Sequence, residues 1–328
     1  MAESGFPAGP DGFFSIRFES IGGLGAHLAG QMLAEAVVLR QGLNASHFSS
    51  YGSEKKGTPV KSFVRIAPSE RQIRTSSPVE SPQVVAVFHG ALVGSLDVLA
   101  GLPADGTVIV NTAADPDALR ALLGLEWGTV GALDALAIAV EEKTRVNTAL
   151  LGAVVRACPL IEPDAVRETI EATFSRRHPE VVEANLRTFD RGYEELATTT
   201  VAAPAGAAGR PVTRPAPAFG YLDAPIGGTI LEPANSVVKD MSTSREGFLP
   251  ELLLDECVHC GLCDIVCPDL CLVWEESAEG VRLRGIDYQY CKGCLKCVEA
   301  CTTGAMVERR EEPGWAAEHR LALFGELV

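Results

Sequence analysis

Eight of the ten cysteines in this 328-residue chain fall into two copies of one spacing pattern, C-x2-C-x2-C-x3-C. The first copy comprises Cys257, Cys260, Cys263 and Cys267, and the second comprises Cys291, Cys294, Cys297 and Cys301. Corresponding cysteines lie 34 positions apart, which indicates an internal duplication. In such runs three thiolates bind one 4Fe–4S cluster, and the fourth cysteine binds the other cluster. We therefore predict one cluster on Cys257, Cys260, Cys263 and Cys301, and a second on Cys291, Cys294, Cys297 and Cys267.

Two other uses of cysteine fit this spacing less well. Four ligands close a zinc site, which leaves an eight-cysteine duplication unexplained. A disulfide framework needs an oxidising compartment, and Met1–Asp11 has neither the basic start nor the apolar segment of a signal peptide. We expect Cys271 to pack as a small apolar residue beside a cluster, and Cys158 to belong to the core.

The overall charge limits the classes of partner. A formal net charge of −15 argues against binding to nucleic acid or to an anionic membrane surface. Residues 251–328 carry 15 Asp and Glu against 7 Lys and Arg, a surface suited to a basic partner or simply to solubility. The most apolar stretch, 130–140, is too short to span a membrane and contains Asp134. We expect a cytoplasmic protein, because thiolate-bound clusters suit a reducing compartment.

A glycine turn near the N-terminus is the second candidate site. Residues 14–20 alternate like a strand, Gly22-Gly23-Leu24-Gly25 follows, and residues 26–40 have the composition of a helix. Such turns let a helix N-terminus approach a ligand or a neighbouring backbone. As a dinucleotide fingerprint the turn is poor, because Leu28 stands at the third glycine position and no acidic residue follows about 20 positions on. The turn therefore serves either packing or ligand binding.

The order of segments predicts two domains. After a leader at 1–12, strands and helices alternate through residues 13–197, which favours a doubly wound α/β domain. The composition then shifts to Thr, Ala, Gly and Pro, so residues 198–250 are interpreted as an Ala/Pro-rich linker and extended segment. Residues 251–328 are predicted to form an α+β ferredoxin-like domain with the two clusters.

These motifs resemble a fused gamma and delta subunit of the 2-oxoacid:ferredoxin oxidoreductases of the pyruvate synthase type. The gamma-like part is residues 16–185, and the delta-like part is residues 227–307. The gamma motifs lie at 22–25, 51–57, 63–66, 147–152 and 178–192, and the delta motifs at 267–270 and 288–294. Several positions depart from the usual family motifs: Leu24, Ser53, Lys56, Thr58 and Thr302. The resemblance covers about four fifths of the chain.

The resemblance implies a task in electron transfer, with no catalytic residue on this chain. Thiamine diphosphate with Mg, and a further 4Fe–4S cluster, would lie on separate alpha and beta subunits that decarboxylate pyruvate or another 2-oxoacid. Electrons would pass through the two clusters of this chain to ferredoxin or a reductase subunit, with coenzyme A as the usual co-substrate.

Two loops are candidate coenzyme A contacts. The candidate residues are Gly22, Gly23, Gly25, Tyr51, Gly52, Lys55, Lys56 and Gly57. Lys55 and Lys56 would hold anionic phosphates or, alternatively, form an intersubunit salt bridge with Glu54.

Two other functions remain open from the sequence. One is a self-contained ferredoxin-linked reductase whose α/β domain binds a flavin or a nicotinamide. The other is an assembly or scaffold protein, which would leave eight ordered cluster ligands without a purpose.

Overall fold

The computed structural model describes residues 6–51, 58–176, 178–212, 225–228, 237, 239–278 and 280–324. The chain divides into two compact units, Met1–Thr213 and Arg214–Val328, each of which has its own core. Four of the candidate loop residues, Gly52, Lys55, Lys56 and Gly57, lie outside the described residues.

Seven strands form one mixed sheet in the described part of the N-terminal unit. They are β1 (Phe14–Ile21), β2 (Asn44–Tyr51), β3 (Pro59–Ala67), β4 (Val84–Val87), β5 (Thr107–Asn111), β6 (Gly128–Leu133) and β7 (Ala197–Val201). Their order across the sheet is β2-β3-β1-β4-β5-β6-β7. Strands β1, β4, β5 and β6 are parallel, whereas β2, β3 and β7 run antiparallel to their neighbours.

Helices cover both faces of this sheet. They are α1 (Ala26–Leu39), α2 (Leu92–Ser95), α3 (Pro116–Leu123), α4 (Ala135–Glu142), α5 (Val146–Ala157), α6 (Pro163–Ser175) and α7 (Val182–Glu194). One core joins α1 and α4–α7 to the face that carries Ile16 and Phe18, and a second joins α2 and α3 to Val85 and Val108. The α/β prediction is confirmed, with a mixed rather than purely parallel sheet.

Local sequence signals fix where α3 and α4 begin. Asp115 accepts hydrogen bonds from the N–H groups of Asp117 (2.9 Å) and Ala118 (3.3 Å), and Pro116 occupies the first helical position. Asp134 likewise accepts from the N–H of Ala137 at 2.9 Å. The apolar stretch 130–140 is therefore part strand and part helix, divided at a capping carboxylate.

The linker prediction is wrong at its start. Residues 197–201 form β7, which pairs with β6 at the edge of the sheet, and the hydroxyls of Thr129 and Thr200 lie 3.0 Å apart. Farther on, the N–H of Arg210 donates to Leu102 O at 2.8 Å. A mostly exposed, Thr-rich edge strand needs no apolar periodicity, so the sequence pattern gave no signal for it.

The C-terminal unit is a small α+β domain. Its strands pair as two antiparallel ladders, β8 (Phe248–Leu252) with β11 (Met306–Arg310) and β9 (Leu272–Ser277) with β10 (Gly280–Ile286). Among the described residues of this unit, three short helices accompany them, α8 (Leu262–Ile265), α9 (Lys296–Ala300) and α10 (Trp315–Glu318). This arrangement confirms the predicted ferredoxin-like domain. None of the described helices has the length and apolar character that crossing a bilayer requires.

Two glycines let α5 and α7 approach each other closely. A Cβ atom on Gly192 would overlap the backbone carbonyl of Ala149, and one on Gly152 would overlap that of Phe189. At the same interface Thr148 Oγ1 donates to Asn185 Oδ1 at 2.9 Å. Several residues that carry the gamma resemblance therefore have a packing role between these helices.

We expect Gly192→Ala to lower the free energy of unfolding by about 1–3 kcal/mol, the usual cost of overpacking a core. The backbone of α5 cannot rotate away as a side chain could, so the two helices must separate. Denaturant titration monitored by circular dichroism measures the change. Gly94→Ala in α2 is the matched control, because its Cβ would enter open space. Equal stability of the two variants would contradict the close-contact explanation.

Candidate iron–sulfur centres

The cysteines of the C-terminal unit surround two cavities. The first is lined by Cys257, Cys260, Cys263 and Cys301 together with apolar residues. The second is lined by Cys291, Cys294, Cys297, Cys267 and also Cys271. Each cavity gathers the three leading cysteines of one run and the last cysteine of the other run. The structure thus brings together the four residues of each predicted ligand set.

The cysteines around the two cavities carry unpaired thiols and form no ready single-ion site among the described residues. Zinc needs four ligands within about 2.0–2.3 Å of one point. Among the residues that the structure describes, no three His, Cys, Asp or Glu side chains converge closely enough to hold one metal ion. All ten cysteines are free of disulfide bonds. Four thiols around each cavity match the number and type of ligands that a 4Fe–4S cluster needs.

The duplication extends to the backbone of the cysteine loops. In the first loop His259 and Gly261 have positive φ angles of 55° and 80°; in the second, Gly293 and Leu295 have 67° and 58°. These are equivalent positions, 34 residues apart. A left-handed conformation at a non-glycine residue costs about 1–2 kcal/mol. Both loops therefore use the same turns to aim successive cysteines at a cavity, and each accepts this cost at one position.

Hydrogen bonds favour the thiolate form at the two crossing cysteines. Cys271 Sγ lies 3.6 Å from Cys267 Sγ, and this contact lowers the pKa of Cys267 to about 6. At Cys301 partial burial acts to raise the pKa, but hydrogen bonds, including one from the N–H of Met306 at 3.4 Å, lower it overall. The thiolate is the form that binds iron, so these contacts prepare both cysteines as ligands.

Burial has the opposite effect on two other predicted ligands. It raises the pKa of Cys263 to about 11 and that of Cys297 to about 12. Cys263 and Cys297 are equivalent residues of the two runs, and each is buried in the domain core. Metal binding would have to supply the energy that ionises them.

The two cysteines outside the motif both lie in the interior. Cys158 is fully buried in the main core of the N-terminal unit, and burial raises its pKa to about 12. Cys271 is only 3% exposed and forms part of the wall of the second cavity. Its sulfur atom therefore lies directly beside Cys267, a predicted ligand of the second cluster.

Buried charged residues that the sequence analysis missed brace the second cysteine run. Asp287 is fully buried and accepts from Arg320 Nε at 2.6 Å and from the N–H of Leu323 at 2.9 Å. The buried Arg245 donates from Nε to Cys291 O at 3.0 Å. Asp287 also accepts locally from the N–H of Gln289 at 3.1 Å. Arg320, Leu323 and the side-chain partners of Arg245, however, lie more than 30 positions away, so no local spacing signals those contacts.

The glycine turn and Tyr51 lie at neighbouring loops. Gly25 (φ 81°) begins α1, and its position for a Cβ lies 2.9 Å from the side chain of Asn147. Arg145 Nη1 donates to Gly23 O at 3.3 Å, and the N–H of Gly22 donates to Thr58 O at 3.0 Å. Tyr51 ends β2 and is half exposed. The turn is therefore packed against α5 and linked to Thr58, at the end of the second candidate loop.

We expect Gly293→Ala to remove the second cluster selectively, because the new Cβ would overlap the carbonyl oxygen of Phe248. Gly261→Ala is the matched control: its φ is also positive, but its Cβ would enter open space. Iron analysis and electron paramagnetic resonance (EPR) of the anaerobically purified variants measure the outcome. The Gly293 variant should lose about half of its iron and the Gly261 variant little. Equal losses would show that backbone strain rather than this contact matters.

Models of known protein families match both units of the chain. Residues 15–195 match the family model described as pyruvate ferredoxin/flavodoxin oxidoreductase, and residues 256–305 match a 4Fe-4S dicluster domain. The predicted family and the two-cluster domain are thereby confirmed.

Individual relatives match the N-terminal part of the chain over nearly their whole length. Pyruvate synthase subunit PorC of Thermotoga maritima is 40% identical over 187 residues, which cover 56% of this chain and 95% of that protein. The common subunit gamma of the pyruvate/ketoisovalerate oxidoreductases of Pyrococcus furiosus is 36% identical over 182 residues, 55% of this chain and 95% of that protein.

A solved structure agrees. The crystal structure of pyruvate oxidoreductase subunit PorC from Thermotoga maritima superimposes with a TM-score of 0.50 at 36% identity, covering 57% of this chain and 98% of that chain. The gamma-type relatives thus correspond to the N-terminal unit, and the dicluster domain lies beyond them in the chain. The chain belongs to the pyruvate ferredoxin/flavodoxin oxidoreductase family and joins its gamma-type domain to a 4Fe–4S dicluster domain.

Proposed function

We propose that this chain is the gamma–delta, electron-transfer subunit of a thiamine-diphosphate-dependent, coenzyme-A-acylating 2-oxoacid:ferredoxin oxidoreductase. Its partners are catalytic alpha and beta subunits, which carry the thiamine diphosphate, Mg and a further 4Fe–4S cluster. Ferredoxin or a reductase subunit receives the electrons. The substrate is pyruvate or another 2-oxoacid, and the complex works in the reducing cytoplasm.

The observation that carries this proposal is the crossed arrangement of cysteines around two cavities, attached to a gamma-type domain. Cys257, Cys260, Cys263 and Cys301 would hold one cluster, and Cys291, Cys294, Cys297 and Cys267 the other. When bound, such clusters accept and release single electrons. Because Cys267 and Cys301 each belong to one loop but line the other cavity, the chain itself ties the two centres together.

The task of the protein residues is to bind, orient and shield. Cys263 and Cys297 are buried residues that line the two cavities, whereas Cys260 is exposed. Electrons therefore have a route to the surface on the side of the first cavity. Carbon–carbon bond cleavage is left to the cofactor on the partner subunits.

Coenzyme A binding near the glycine turn and the 51–58 loop is the finer part of the proposal. The hydrogen bond between Gly22 and Thr58 supports it by making the two loops neighbours. Lys55 and Lys56 would supply positive charge for phosphates there.

The alternative, a reductase with a flavin or nicotinamide in its α/β domain, is less well supported. In dinucleotide-binding domains the glycine turn leaves the helix N-terminus open to a pyrophosphate. Here Asn147 fills the space beside Gly25, and Arg145 binds the turn at Gly23. The optical spectrum of the purified chain distinguishes the two functions, since a flavin has its own absorption bands.

Iron stoichiometry tests the cluster assignment. We expect about eight irons per chain after anaerobic purification, four for each cluster. Cys260→Ala should lose or convert one cluster, because it removes a predicted ligand. Cys271→Ala is the matched control and should retain the full iron content, since Cys271 belongs to neither predicted set. Half the iron in the unmodified chain, with the spectrum of a single centre, would refute the assignment.

The division of labour between subunits is tested with the purified chain. We expect dithionite to reduce it, while pyruvate with coenzyme A and thiamine diphosphate leaves it oxidised, because the thiamine diphosphate site is on the partners. Adding the catalytic alpha and beta subunits should restore 2-oxoacid-dependent reduction of ferredoxin. Release of carbon dioxide by the clean chain alone would show that it has a catalytic centre of its own.

A further inference from the structure

Arg245 is a buried cation that touches the second cysteine run. Its side chain is 4% exposed and lies in the segment before β8, outside both cysteine motifs. It donates from Nε to Cys291 O at 3.0 Å and from Nη2 to Tyr288 O. Its Nη1 pairs with Glu311, just after β11. One guanidinium thus holds both ends of the turn that leads into the second cysteine run.

The surroundings of the two cavities differ in charge. Among the described residues that line the first cavity, none is Lys, Arg, Asp or Glu. The second cavity is lined by Lys292 and Asp269, which pair with each other at 3.4 Å, and Arg245 binds its ligand loop from outside. The carboxylate that pairs with Arg245 is one quarter exposed, so solvent screens Glu311 more than the buried guanidinium. Arg245 therefore contributes a buried positive charge beside the second cavity, and the buried Asp287, paired with Arg320, contributes a buried negative charge near the same run.

A buried cation near a redox centre changes the reduction potential of that centre directly. Reduction adds one electron to a thiolate-ligated cluster without taking up a proton, so the negative charge of the cluster increases by one unit. A nearby cation stabilises that added charge, and in a partly buried site the interaction is little screened. Net charge and hydrogen bonding are established determinants of cluster potential.

We infer that Arg245 is a positioning and tuning residue that raises the reduction potential of the cluster held by Cys291, Cys294, Cys297 and Cys267. This inference rests on the proposed function. The Arg245 guanidinium favours the reduced state of this cluster relative to a protein that lacks the charge.

The test is an EPR-monitored redox titration of the full chain with two opposed variants. Arg245→Gln removes the cation, and at fixed potential the reduced-to-oxidised ratio of the second cluster should fall about tenfold, a shift of about 59 mV for one electron. Glu311→Gln removes the counter-charge, and the same ratio should rise, by less because solvent already screens this carboxylate. Arg245→Lys keeps the positive charge and should leave most of the reduction potential of the second cluster unchanged.

Controls separate charge from folding. Glu275→Gln also removes one carboxylate from an ion pair, with Arg284 at 3.2 Å, but on the β9–β10 hairpin, and it should leave both potentials unchanged. Repeating the titration in a Cys260→Ala background, where the first cluster is lost or converted, identifies the signal of the second cluster. Opposite shifts in the Arg245 and Glu311 variants cannot come from a merely loosened fold.

Two outcomes count against different claims. Eight irons per chain with both potentials unchanged in Arg245→Gln and Glu311→Gln would overturn the inference and leave the proposed function intact. An unmodified chain that holds a single cluster would refute the proposed function itself, before any potential is compared.

Discussion

The C-terminal unit depends on placing four sulfur atoms around each of two cavities within a small domain. Four of the eleven buried residues of its described core are cysteines, and three of these, Cys263, Cys291 and Cys297, are candidate ligands. A domain of this size buries little apolar surface. Binding energy at metal sites can supply what such a core lacks, which couples folding to the ligands. The short strands and helices around the cavities are arranged to serve this constraint.

The duplicated loops meet the same geometric need in different environments. The equivalent pairs His259 with Gly293 and Gly261 with Leu295 all have positive φ, so the turn is preserved whichever residue occupies it. Around the second loop, however, additional aromatic and charged side chains make contacts. The ring of Trp315 lies 5.5 Å from that of Tyr288, edge to face, and Arg320 pairs with the buried Asp287. One ligand pattern is thus embedded in two different surroundings, which is how a protein gives two chemically identical centres different properties.

In the N-terminal unit, glycine mainly permits close packing. Gly25 leaves room for Asn147, and Gly152 and Gly192 allow the backbones of α5 and α7 to meet. These residues belong to the patterns that indicated the family, and packing alone accounts for their type. This does not conflict with a ligand at the neighbouring 51–58 loop, but it means that the glycine turn by itself is no evidence for one.

The sequence by itself determined the cysteine runs, the two-domain order, the family and most α/β elements, because each has a local signal. Periodicity, capping residues such as Asp115 and the fixed cysteine spacing act over a few positions. Tertiary structure decided two things: that β7 extends the sheet into the predicted linker, and that Arg245 and Asp287 brace the second run. An exposed edge strand has no apolar alternation, and contacts across tens of residues have no fixed spacing. The contacts of Arg245 and Asp287 form only when the chain has folded and distant segments lie side by side.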